Sequence, residues 1–178
     1  LVHIRVLHAQ GFFDAARREA KNLIKNIPPD TLNIPYLADA YYYSGFTSER
    51  EAFRYLNMKS NPAGGDRALL ESVDLNLTQY ADQYFREAAN DYENAIRLNP
   101  HHRSAYFRLI MLHYEIKAYA AMLQLSKTCR NLFPADPYPY LFSGLAHYSL
   151  GQYRQSAEDY RQALNLMDCL LYTSPSPR

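Results

Sequence analysis

Catalysis or metal binding would need histidines, cysteines and carboxylates at workable spacings, and few such sets occur in this chain. His113 and His147 stand 34 residues apart, so a chain repeating at that period would bring them to equivalent places. A metal site needs further ligands at suitable geometry, and the sequence offers none, so both read as packed or hydrogen-bonded histidines. His101 and His102 follow Pro100 as a polar helix start. Cys129 and Cys169 are the only two cysteines, too few for a disulfide scaffold or a zinc site. Cys129 reads as a small buried hydrophobe. Glu158 and Asp159 are the nearest approach to an acid/base pair. They sit among Arg154, Arg161 and Gln162, where pairing along a helix surface explains them. No phosphate-cradling glycine loop or nucleophile elbow appears. The expectation is a non-enzyme without metal or cofactor.

The elements that position these residues repeat. Prolines fall at 28, 62, 100 and 134, spaced by 34, 38 and 34 residues, and a period near 34 marks helical hairpins. At 178 residues, 48% apolar and 21% charged, the chain suits a folded protein. In a repeat array each unit packs only on its neighbours, so length sets the number of units. The net charge of +1 is spread through the units and gives no reason to expect a nucleic-acid partner. No run approaches a membrane span. The chain begins at Leu1 without methionine and is read as part of a longer protein, leaving the compartment open with the cytoplasm favoured.

Five units are expected, about 1–28, 29–62, 67–100, 101–134 and 135–168. In the first, Leu1, Ile4, Val6 and Leu7 close a helix that Gly11 breaks, and Phe13, Ala16, Ala20, Leu23, Ile24 and Ile27 follow helical spacing to Pro28. In the second, Gly45 reads as a C-cap glycine, with Ser48 and Glu51 as a capping box for its second helix. Asn61–Gly65 is a strong breaker, and the 61–66 stretch reads as an insertion. The third unit has no glycine between its halves; a turn within Gln79–Gln83 is expected, the alternative being one helix that runs straight through. The fourth has Lys117 where a turn glycine would stand, an ordinary exchange if positive φ is not needed there. The fifth turns at Gly151.

These residues resemble the tetratricopeptide repeat, a helix-turn-helix unit of 34 residues. The fifth unit carries the resemblance through Tyr140, Gly144, Gly151, Tyr153, Ser156, Tyr160 and Ala163, with Asp168 where proline is usual. The third carries it through Phe85, Ala88, Tyr92, Ala95 and Pro100, and the first through Gly11, Phe13, Ala16, Ala20 and Pro28. The fourth keeps Tyr106, Tyr119 and Pro134 but departs at Ile110, Met122, Ser126 and Cys129. The second has Arg50 and Arg54 at nominal core sites, which unsettles its register. The resemblance implies an all-α fold, an α-α superhelix or right-handed solenoid of hairpins, in which small residues let helices approach and aromatics fill the gaps between units. Residues 169–178, from Cys169 to Arg178, instead resemble a translated sequencing adapter and are expected to be a non-native tail.

In this family the first helix of each pair lines a groove where peptides often bind. The resemblance places Tyr42, Tyr80, Tyr114 and Tyr148 at one repeated groove position, commonly aromatic in the family and half-buried against the next unit; the alternative is a ladder of rings and hydroxyls that holds a ligand. Asp39, Tyr43, Phe107, Arg108, Met111, Tyr138, Leu141 and Leu145 are its neighbours. A chaperone-tail clamp of lysine and asparagine is absent, because Pro35, Val73, Phe107 and Leu141, then Asp39, Leu77, Met111 and Leu145, occupy its sites. The implied function is a protein- or peptide-binding scaffold that organises a complex. The alternatives are a regulatory or substrate-presenting repeat region of a larger enzyme, such as a glycosyltransferase or sulfotransferase, and a structural spacer.

Overall fold

The computed structural model describes the backbone of residues 1–60 and 67–173 and the side chains of residues 1–58 and 76–168. The expected insertion at 61–66, with Pro62, lies outside the described residues. Helices account for nearly all of the rest: α1 (Val2–Ala9), α2 (Phe13–Asn26), α3 (Ile34–Ser60), α4 (Arg67–Leu98), α5 (Arg103–Glu115), α6 (Tyr119–Leu132), α7 (Tyr138–Ser149) and α8 (Tyr153–Thr173). The fold class is all-α, as expected. The chain divides into two compact units, Leu1–Ala105 and Tyr106–Arg178.

In the first unit α1 and α2 form the expected short hairpin, turning at Gly11 with φ +81°. That conformation is cheap only for glycine. Ala16 and Ala20 are fully buried with Ile4 and Ala40, and Leu7, Leu23, Ile24 and Tyr43 close over them. The small methyls let the backbones of α1, α2 and α3 approach, and the branched side chains fill the rim.

The next two expected hairpins are corrected. α3 runs unbroken through Gly45, and α4 runs unbroken through Gln79–Gln83. The two pack against each other along their lengths. Residues 44–49 are all buried, so a turn there would strand peptide groups that the helical ladder satisfies. Ser48 and Glu51 therefore sit inside a helix and form no capping box. Gly45 is glycine because a ring lies against it: a Cβ there would stand 3.0 Å from two Tyr92 ring carbons and 3.1 Å from the Ala88 carbonyl oxygen. From α4, Ala81, Phe85, Ala88, Tyr92 and Ala95 present one buried stripe to this seam. The Tyr92 hydroxyl donates to a Glu49 carboxylate oxygen at 2.5 Å, satisfying two buried polar groups at once.

The second unit keeps the expected hairpins. Lys117 joins α5 to α6 with φ +58°, so this site does require the left-handed conformation and lysine is strained there. Gly151 supplies the equivalent φ of +73° between α7 and α8. Tyr106, Leu109, Ile110, Leu112, Met122 and Cys129 form the core around α5 and α6. Gly144 repeats the role of Gly45, here receiving the ring of Tyr160. The Ser156 hydroxyl donates to the Gly144 carbonyl at 2.8 Å and ties α8 to α7 at that height. Tyr153, expected to fill space between hairpins, is 65% exposed and meets the Tyr148 ring edge-on. α8 continues past Asp168 to Thr173, since no proline stops it. The expected tail thus begins inside a helix, and 174–178 lie outside the described residues.

Candidate functional site

In the first unit the groove candidates do not form a ladder. Asp39 on α3 accepts from the Arg5 guanidinium at 2.5 Å and lies 3.1 Å from His102 Nε2. The Ala105 amide donates to His102 Nδ1 at 3.2 Å, so the proton on Nε2 faces Asp39. Burial pushes the Asp39 carboxyl up, but hydrogen bonds from His102 and Arg5 outweigh it and leave the group below its ordinary range. The pairing likewise raises Arg5. Asp39 is therefore a tie between α1, α3 and the start of α5. Tyr42 is half-buried, its ring between Tyr43, Tyr92 and His102. Tyr43 packs on His8, and its phenol is raised, first by burial.

Tyr80, on α4, lies about 18 Å from this cluster, because 12 helical positions separate it from Tyr92 at 1.5 Å each. It is 51% exposed and stacks on Tyr55 at 5.4 Å, which in turn stacks on Tyr84 at 5.6 Å. Tyr55 and Tyr84 belong to this stack, although neither is among the groove candidates. The reason is that α3 and α4 form one long pair, so equivalent repeat positions on them are not equivalent in space.

In the second unit two of the candidates meet. Phe107 on α5 meets Tyr138 at 5.7 Å and the edge of Phe142 at 5.2 Å, both on α7. Phe142 was not among the residues selected from sequence; its neighbours Tyr138 and Leu141 on the same helix were the available signal. Arg108, Met111, Leu141 and Leu145 are half-buried. Tyr114 meets Tyr119 at 6.0 Å and Tyr148 meets Tyr153 at 5.6 Å. Both Tyr114 and Tyr148 act on Tyr160, whose phenol is raised chiefly by burial. Tyr138 and Tyr148 remain 46% and 60% exposed, so the face carries ring surface open to a ligand.

Beside this face lies a polar network the sequence did not reveal. Arg130 donates to Asp159 at 2.7 Å and to the Ser143 hydroxyl, and its guanidinium lies 4.2 Å from the centre of the Tyr140 ring. His147 Nδ1 is 2.9 Å from the other Asp159 oxygen. Asp159, read from sequence as a solvated surface group, is 8% exposed, because Arg130 and His147 reach it from α6 and α7. Among the described residues no group of three or more histidines, cysteines, aspartates or glutamates could hold a metal. No helix there is long and apolar enough to cross a membrane.

Comparison with known proteins bears on the fold. The tetratricopeptide repeat model matches residues 77–124, from the middle of α4 into α6. Among solved structures the chain is similar to a crystal structure of MamA, with TM-score 0.50 and 16% identity, covering 93% of this chain and 95% of that one. It is also similar to a thermophilic TPR protein of Thermus thermophilus, with TM-score 0.48 and 16% identity over 93% of this chain and 89% of that one. No curated protein matches. At 16% identity the likeness to MamA is one of fold alone, paired helices in an all-α chain.

Proposed function

We propose, starting from the tetratricopeptide-repeat membership that the match over residues 77–124 supports, that this chain is a scaffold without catalysis of its own that binds a protein or peptide on the α5–α7 face. The observation that carries the reading is the aromatic contact of Phe107 with Tyr138 and Phe142 across two helices, with Tyr138 and Tyr148 left open to solvent. Such rings offer large contact area at low side-chain entropy and a hydroxyl for an exposed backbone group. Half-buried Met111, Leu141 and Leu145 add an apolar floor, so the favoured ligand is an extended or helical segment with apolar side chains.

Quantitative co-purification from the source cells, with the chain carrying Tyr138→Ala and Tyr148→Ala, tests this. Both side chains are open enough that folding survives, and the thermal midpoint checks that. Loss of partner recovery at an unchanged midpoint supports the face; full recovery removes it. We further read Cys169–Arg178 as a non-native tail. Resequencing the locus tests that reading, and a genomic frame encoding the same ten residues would refute it.

A further inference from the structure

The first unit holds a cleft separate from the α5–α7 face. It lies open between the start of α2 and the second half of α3, has a volume of about 660 Å³ and is lined by Phe13, Arg50, Glu51, Phe53, Arg54 and Met58 among others. That volume falls in the range of ligand pockets. Two of its arginines occupy sites where the repeat pattern calls for core residues, and the structure shows what they do instead. Arg54 is committed: it pairs with Glu51 at 2.7 Å, and Glu51 and Asp14 both hold its charge. Arg50 is not committed in this way. Its guanidinium lies 4.0 Å from the centre of the Phe13 ring, and among the described residues no carboxylate pairs with it.

A guanidinium held over a ring has its motion restricted while the N–H groups directed away from the ring can bind a carboxylate in bidentate fashion. Next to it, Phe53 is half-buried, its ring edge-on to Phe85, and Met58 is 47% exposed. The cleft therefore presents one unpaired positive charge beside a soft apolar wall. Glu51, neutralised by Arg54, stands on the same side and disfavours a second negative charge.

We propose that this cleft is a second recognition site, which takes a peptide segment bearing one side-chain carboxylate next to a bulky apolar residue. The carboxylate pairs with Arg50, and the apolar neighbour rests on Phe53 and Met58. The site goes beyond the α5–α7 reading and does not depend on it.

A library of randomised heptapeptides, each fused at its C-terminus to a carrier so that no free terminal carboxyl exists, tests the proposal on the full chain. Selection on the native chain should enrich a single acidic residue adjacent to Leu, Ile, Met or Phe. An enriched peptide should bind Arg50→Gln about ten- to a hundredfold more weakly, the range for a hydrogen bond to a charged group, and the binding should weaken with salt. Binding should be unchanged in the Tyr138→Ala, Tyr148→Ala chain. Arg50 is exposed, so Arg50→Gln should keep the native thermal midpoint, and Arg50→Lys should recover part of the affinity. The proposal is overturned by a selection without acidic enrichment, by equal binding to Arg50→Gln, or by loss only in the tyrosine variant. The last outcome would assign the peptides to the α5–α7 face.

Discussion

Replacing Gly144 with alanine puts the packing of the second unit to a quantitative test. In an unobstructed helix interior this exchange gains about 1 kcal/mol, because glycine is the poorer helix former. Here the new methyl would lie 2.7 Å from Tyr160 Cε1, 2.8 Å from Cδ1 and 3.1 Å from Cζ. Carbon atoms in good contact sit about 3.5–4.0 Å apart, so the ring would have to retreat by roughly 1 Å. The Ser156 bond to the Gly144 carbonyl holds α8 at the same height and resists that shift. Overpacking of this kind costs about 1–3 kcal/mol, and subtracting the propensity gain leaves a net loss of roughly 0–2 kcal/mol. Urea denaturation followed by helical circular dichroism measures it. The decisive comparison is the double-mutant cycle with Tyr160→Leu, which removes the ring. In that background Gly144→Ala should stabilise, so the two changes should couple by about 1–3 kcal/mol. Equal stabilisation in both backgrounds would refute the claim that the Tyr160 ring is why residue 144 is glycine.

Other predictions follow from the same contacts. Lys117→Gly should raise stability by about 0.5–1 kcal/mol, the relief of a left-handed residue less glycine's added chain entropy; Gly151→Ala, with open space around the new methyl, should cost about 1 kcal/mol through backbone strain alone. Denaturant midpoints read both. Tyr92→Phe removes the hydroxyl that donates to buried Glu49 and should cost about 1.5–3 kcal/mol, whereas a change below about 0.5 kcal/mol would show that this bond is not formed. The Asp39 carboxyl is held below its ordinary range, so its contribution is fully present above a pH of about 4 and is lost as pH falls through the lower folded value. The stability difference between the native chain and Asp39→Asn should therefore shrink between about pH 5 and pH 2; a difference that grows on acidification would be the contrary result.

Hairpins whose turns need a special backbone conformation were legible in the sequence. Gly11 and Gly151 adopt the positive φ their types suggest; α2 ends at Asn26, just before Pro28, whereas α8 runs past Asp168 to Thr173. Lys117 shows the limit, because a lysine gives no sign that its site is left-handed. Gly45 misled for a different reason. A glycine can mark a turn or a close approach, and the ring that explains it, Tyr92, belongs to another helix. Without a turn at Gly45 or within Gln79–Gln83, the 34-residue period does not carry over into space along α3 and α4, so Tyr42 and Tyr80 part company. On α5 and α7, Phe107 meets Tyr138, while Tyr114 and Tyr148 lie against Tyr119 and Tyr153. Arg50 and Arg54 broke the core pattern in sequence, and their places in the structure, on a ring face and on Glu51, explain why that pattern tolerates them.

Hydrogen-exchange mass spectrometry of the chain, alone and with the partner recovered by co-purification, tests the central claim most directly. Bound partner should slow exchange in α5 and α7, around Phe107–Tyr114 and Tyr138–Tyr148, and leave the rest of the second unit as it was. Protection absent from both helices, with the partner demonstrably bound, would contradict it.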